Sequence, residues 1–142
     1  MQKSEHKIRP PKPSDLNFIF ATFSTSMKHD SDLGRSCRSS VFFPNFQKII
    51  DDLLQNSQIL VTCSVEEENA IMAYLIYSPN LIHYAFTRPA LREKGLAREL
   101  VNQAFPGATS LAFSLNTNHA KKISRTHQQL FHDPFSLFKK GA

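Results

Sequence analysis

Apolar residues recur along this chain in two rhythms, one helical and one alternating, and the switches between them mark its elements. Residues 8–10 fit a short edge strand that the following prolines bring to an end. Ser14 is placed to cap a first helix, with Asp15 in its first turn, and Leu16, Ile19, Phe20 and Phe23 then fall on one face. Residues 28–40 are polar, rich in serine and broken by Gly34, and read as a loop. Asn45 is placed to cap a second helix, with Phe46, Ile49, Ile50, Leu53 and Leu54 at helical spacing. The rhythm then shortens. Residues 59–65, 70–77 and 81–87 predict three strands, separated by turns at 66–69 and 78–80. Residues 96–105 return to helical spacing, and Pro106-Gly107 ends that helix. A strand over 110–115, a helix over 117–130 with a thin apolar face, and a last short strand within 131–138 complete the pattern.

The order β-α-α-β-β-β-α-β-α-(β) predicts an α/β fold, a mixed α+β sheet. Three strands joined by short turns make an antiparallel meander. The strand–helix–strand unit after it requires parallel strands and a right-handed crossover, so helices cover both faces of a central sheet. Alternation along the strand 81–87 puts Leu81, His83, Ala85 and Thr87 on one face. It puts Ile82, Tyr84 and Phe86 on the other, which reads as core.

At 142 residues the chain is expected to form a single domain, 1–142, with residues 1–7 as a flexible tail. No run of eighteen apolar residues occurs, so no membrane span is expected. Residues 1–13 lack the apolar stretch of a secretory signal. Cys37 and Cys63 are far apart and suggest neither a disulfide framework nor a metal motif, which points to the cytoplasm and to no metal. Residues 1–13 hold four bases and one acid and residues 119–142 five bases and one acid, which makes the ends +7 and the middle −2 of the net +5. Charge spread over terminal segments favours solubility, and it leaves a protein or nucleic-acid partner open.

The chemically informative stretch is Arg92-Glu93-Lys94-Gly95-Leu96-Ala97, between a strand and a helix. Unpaired amides and a positive dipole end make such a turn a seat for a phosphate or pyrophosphate. Gly95 and Ala97 allow close approach, and Arg92, Lys94 and Arg98 add charge.

This run resembles the acyl-CoA signature of the GNAT (GCN5-related N-acetyltransferase) superfamily, Arg or Gln, two residues, Gly, one residue, Gly or Ala, with Arg92, Gly95 and Ala97 in its three places. The opening Lys7-Ile8-Arg9-Pro10 and Ser14-Asp15-Leu16 resembles the family's first strand and capped helix, and the likeness extends over residues 8–113. Residues 81–100 and Asp133-Pro134-Phe135 also resemble small GNAT-like proteins of phages and prophages. The resemblance implies acetyl-CoA as acyl donor and an amine as acceptor, joined by direct attack in a ternary complex. Backbone groups near Phe86 and Thr87 would hold the pantetheine arm and polarise the carbonyl. The turn from Arg92 through Glu93, Lys94, Gly95, Leu96 and Ala97 to Arg98 would hold the pyrophosphate. Asn116, with Asn118 beside it, stands where the family often places a cofactor-contacting asparagine.

Catalytic residues are less defined. Glu66, Glu67 and Glu68 fall at a hairpin tip and read as a solvated turn. His83 is the base candidate, a hydrogen-bonded structural histidine being the competing reading. The family's acid is a tyrosine in the helix after the fifth strand. No tyrosine follows Tyr84 here, and Ser124 occupies that place, with His127 and His132 as other substitutes. In the family, the segment joining the first two helices lines the acceptor side. Here it carries Lys28, His29, Asp30, Asp32, Arg35 and Arg38, a mixed set with no clean charge preference. A catalytically inactive GNAT-fold binding protein is the alternative to an N-acetyltransferase, and nucleic-acid binding through the basic termini is a weaker third reading.

Overall fold

The computed structural model describes residues 5–92, 94–107, 110–114 and 130–133. Its elements in chain order are β1 (His6–Arg9), α1 (Leu16–Asp30), α2 (Asp32–Ser36), α3 (Ser39–Asn56), β2 (Gln58–Ser64), β3 (Ile71–Ser78), β4 (Leu81–Thr87), α4 (Leu96–Ala104), β5 (Leu111–Phe113) and β6 (Leu130–His132). The six strands form one sheet in the order of the sequence. β1 to β4 pair antiparallel, while β4–β5 and β5–β6 pair parallel. This is the mixed sheet that the pattern predicts. The last strand begins at Leu130, and residues 134–138 of the expected strand region lie outside the described residues, as does the expected helix up to residue 129.

Each face of the sheet carries its own core, because neighbouring side chains of β3 point opposite ways. Tyr74 and Ile76 meet Ile19, Phe23, Phe46 and Ile50 of α1 and α3. Leu75 meets Leu96 and Leu100 of α4 on the other side. On the first face, Phe23 stacks on Tyr84 with ring centroids 4.3 Å apart, and Phe42 stacks on Phe46 at 5.0 Å.

The expected loop over 28–40 is instead helical. α1 runs on to Asp30, α2 follows at once, and α3 starts at Ser39, six residues before the expected cap Asn45. The polar residues serve helix ends. Ser31 Oγ donates to Met27 O at 2.6 Å and accepts from Gly34 N at 3.0 Å, and Lys28 Nζ donates to Gly34 O at 2.8 Å. Gly34 is pressed so close to α1 that a Cβ there would lie 2.0 Å from Met27 O. Asn45 sits inside α3, after Pro44, and its side-chain amide donates to Val41 O. Ser14 likewise lies within a 3-10 turn, Pro13–Asp15, and the Asp15 carboxylate instead accepts from the Lys12 amide at 2.7 Å.

Asp15 is also half of a buried pair. Arg9 Nη1 and Nη2 grip its two oxygens at 2.7 and 3.1 Å, and Nη2 also donates to Glu68 O at 2.7 Å. Burial pushes the Asp15 carboxyl up, but the Arg9 fork and the Lys12 amide together bring it below the ordinary range. Lys7 and Lys12 both reach the Glu68 carboxylate, so the hairpin tip is tied to the N-terminal segment rather than merely solvated. His6 and Lys7 therefore belong to a paired strand and not to a tail.

One irregularity matters for the site. The β3–β4 register passes from Ile76↔Tyr84 to Tyr77↔Ile82, which leaves His83 as an extra residue in β4. The bulge overturns the simple alternation expected for this strand. Ile82 now packs with Ala85 on the α4 face, and Tyr84 and Phe86 pack on the α1 face.

Gly34→Ala should drive a methyl group into the α1 backbone and lower stability by about 3 kcal/mol. A urea midpoint equal to that of the parent chain would show that the α1–α2 corner is looser than described.

Candidate cofactor cleft and adjoining pocket

β4 is paired along its length to β3 but, among the described residues, only at its start to β5. The parallel register covers Leu81↔Ala112 and Ile82↔Phe113, and the backbone bonds across this seam include Ala112 N to Asn80 O at 3.3 Å and Ser114 N to Ile82 O at 2.9 Å. On the other edge, Arg88 N donates to Met72 O at 3.0 Å, which marks 88 and 72 as a hydrogen-bonded pair. Antiparallel pairs alternate in type, so Phe86↔Tyr74 and Tyr84↔Ile76 are also bonded pairs. The N–H and C=O of Ala85 and Thr87 therefore point the other way, toward the edge past which no described residue of β5 continues. Phe86, named with Thr87 from the sequence, turns its backbone to β3 and its ring onto Tyr74 at 5.1 Å.

His83 sits where this seam ends. Its Nε2 lies 2.9 Å from Ser78 Oγ in the β3–β4 hairpin and its Nδ1 lies 2.7 Å from Ser114 Oγ just after β5. The ring is 6 % exposed, and burial lowers its pKa from 6.5 to about 4. It is held neutral, with both nitrogens occupied by hydroxyls.

Downstream of β4 a 3-10 turn, Pro89–Leu91, leads to Arg92 and then to Gly95 at φ 81°, which caps α4 in the left-handed region. A Cβ at Gly95 would meet nothing within 4 Å among the described residues, so the glycine answers to backbone geometry. The first intrahelical bond is Glu99 N to Gly95 O at 3.0 Å, and no described side chain caps this end. The amides of Leu96, Ala97 and Arg98 thus begin the helix without intrahelical acceptors. Leu96 buries its side chain, while Lys94 and Arg98 are exposed. Glu93, Asn116 and Ser124 lie outside the described residues.

A pocket adjoins this turn on the α1 face. Ser26 and Asp30 of α1 form one wall, Tyr84 to Thr87 of β4 another, and Arg92 the rim. Burial raises the Tyr84 hydroxyl to a pKa of about 12, the Asp30 charge adds to the rise, and Ser26 and Arg92 oppose it. His83 is not among the lining residues. Sequence reasoning did not assemble this group, because Asp30 read as part of a loop and Tyr84 as core.

No protein-family model and no curated protein matches the chain by sequence. Solved structures do match in shape. The solution structure of apo-form YjaB from Escherichia coli superposes with a TM-score of 0.62 over 88% of this chain and 81% of its own, at 14% identity. A GCN5-related N-acetyltransferase from Rhodopseudomonas palustris gives 0.56 over 89% and 82%, at 17% identity. A GNAT-family acetyltransferase from Brucella melitensis, in complex with acetyl-CoA, gives 0.53 over 85% and 82%, at 13% identity. The chain has a GNAT-like fold.

A folded-state pKa below the unfolded value means that the unfolded chain takes up the proton first. His83 should therefore cost the fold stability as pH falls from about 6.5 to about 4, by roughly 2–3 kcal/mol, and contribute no pH dependence above that window. The check is an NMR titration of the His83 ring carbons, expected to turn over near pH 4. A midpoint above 6 would mean that the ring is not sequestered.

Proposed function

We propose that this chain is an acyl-CoA-dependent N-acyltransferase that moves an acetyl group from acetyl-CoA to an amine. The observation that supports the reading is that, among the described residues, β5 pairs with β4 only at Leu81 and Ile82. The backbone groups of Ala85 and Thr87 face an edge that lies next to the start of α4. An extended amide-containing arm can add to that edge in strand fashion. A pyrophosphate at its end meets the amides of Leu96, Ala97 and Arg98, the left-handed Gly95, and the charges of Lys94 and Arg92. Gly95 lets such a group approach the backbone closely.

In this reading the donor supplies a thioester carbonyl. The chain's own residues orient it and stabilise its charge. An amide donor on the open edge of β4, from Ala85 or Thr87, polarises the carbonyl oxygen. The acceptor nitrogen, once neutral, gives its lone pair to the carbonyl carbon. The C–N bond forms, the C–S bond breaks, sulfur leaves with the electron pair, and the nitrogen's surplus proton passes to a base or to water. His83, the base candidate from the sequence, sits at the end of the β4–β5 seam, where its bond to Ser114 ties β4 to the segment after β5 and its bond to Ser78 ties it to the end of β3. Its low basicity makes it a poor proton acceptor at neutral pH. Ser124 stays a candidate acid by resemblance alone. The absence of any tyrosine after Tyr84 favours a second reading, a GNAT-fold protein that binds a partner without catalysis.

Calorimetric titration with acetyl-CoA separates the two. Saturable binding is expected in the parent chain, with a loss of about 100-fold or more in Gly95→Glu, which adds a carboxylate and a side chain disfavoured at φ 81°. Circular dichroism of the variant checks that the fold persists. Equal affinity in both proteins would remove the turn from the donor site, and no binding at millimolar acetyl-CoA would favour the partner-binding reading.

A further inference from the structure

The N-terminal strand reaches the first turn of α4 through the side chain of His6. We infer that His6 is a positioning residue of the anion seat at the start of α4. It holds the Glu99 carboxylate to one side and so keeps the seat clear for the donor's phosphates. The inference rests on the acyl-CoA reading for the identity of the occupant, but the contact between strand and helix stands by itself.

Glu99 is placed to interfere with an anion. It lies in the first turn of α4 and its N–H donates to Gly95 O, so it stands one turn above the glycine that precedes the helix. Helical side chains lean toward the N-terminus and cover the turn before their own Cα. Gly95 presents no side chain to keep Glu99 from doing so. A carboxylate there is attracted by the same amides and the same dipole that would hold a phosphate. Left to itself, Glu99 would compete with the donor, both by taking those amides and by repelling its charge.

His6 gives the carboxylate another partner. Its Nε2 lies 2.8 Å from Glu99 Oε2. An ionised carboxylate only accepts, so Nε2 carries the hydrogen, and it can do so in the neutral and the charged ring alike. The two side chains are 29 % and 49 % exposed, so the contact has the strength of a surface bond rather than a buried one. His6 and Ile8 share a face of β1, and Ile8 packs in the core beneath α4, which is why His6 can reach that helix. The strand has other fastenings. On its opposite face Arg9 holds Asp15 and the Glu68 carbonyl, Lys7 pairs with the Glu68 carboxylate, and β1 is in register with β2 from His6 to Arg9. Removing the imidazole should therefore release Glu99 without undocking the strand.

The test is calorimetric titration of the full chain with acetyl-CoA and, in parallel, with inorganic pyrophosphate. His6→Ala should raise the Kd for both by about 3- to 5-fold, the scale of an exposed charged pair. His6→Gln, which keeps an N–H donor, should bind as the parent chain does. Glu99→Gln should bind both ligands at least as tightly as the parent. Adding His6→Ala to it should change nothing further, because the charge to be held aside is gone. Circular dichroism checks that each variant keeps the fold. An unchanged Kd in His6→Ala, a His6→Gln variant as weak as His6→Ala, or the same loss in the Glu99→Gln background would each overturn the role of His6. If pyrophosphate binds with the expected pattern while the parent chain binds no acetyl-CoA, the acyl-CoA reading falls and the positioning role remains. If neither ligand binds at millimolar concentration, the anion seat and the role of His6 fall together.

Discussion

A strand inside a sheet has two edges of backbone groups to satisfy, and β4 meets both only as far as Ile82. Beyond that point β3 holds one edge of the strand, and the other pairs with no described residue of β5. Buried amides and carbonyls without partners are costly. Such an edge has to be answered by solvent, by a ligand or by another part of the chain. The fold also has to hold the seam at the end where Leu81 and Ile82 pair. His83 meets that need, with a hydroxyl from each neighbouring segment on its two nitrogens and a bulge that places it at the end of the seam.

The same bulge fixes the chemistry of the two faces. With an extra residue at 83, Tyr84 and Phe86 turn toward α1 and Ala85 turns toward α4. Tyr84 thereby joins Phe23 in the core by its ring and the pocket by its hydroxyl. Cleft and pocket are thus two sides of one strand segment, and residues 84–87 serve both. The α1–α2 corner completes the pocket through Asp30, and its position depends on Gly34, where helix backbones touch.

Much of this was readable in the sequence. The meander was legible because its turns are marked by charged and Pro-Asn clusters and its strands by β-branched and aromatic runs. The turn before α4 was legible because a glycine at a helix start, after a basic strand exit, has few other uses, and Gly95 does take a left-handed φ. Residues 28–45 were misread for a physical reason. Ser31, Gly34 and Asn45 look like loop residues, yet here Ser31 satisfies helix-end groups, Gly34 permits close packing, and Asn45 bonds back within α3. The bulge at His83 had no signature, since no residue type demands it and only the pairing with β3 reveals it. Ser26, Asp30 and Tyr84 were each visible, but their meeting is tertiary. The catalytic acid suggested at Ser124 and the asparagine at 116 belong to a stretch outside the described residues.

The Arg9 latch has a consequence for how the chain reaches this state. Arg9 and Glu68, whose carbonyl it holds, are 59 residues apart in sequence, whereas β2, β3 and β4 follow one another through short turns. Closing the longer loop carries the larger entropic penalty, so the meander can form early and the first strand docks late. Until it docks, β2 shows a bare edge of β-branched and apolar residues to its surroundings. Once the first strand has docked, the Arg9 bond to the Glu68 carbonyl helps to keep that edge covered.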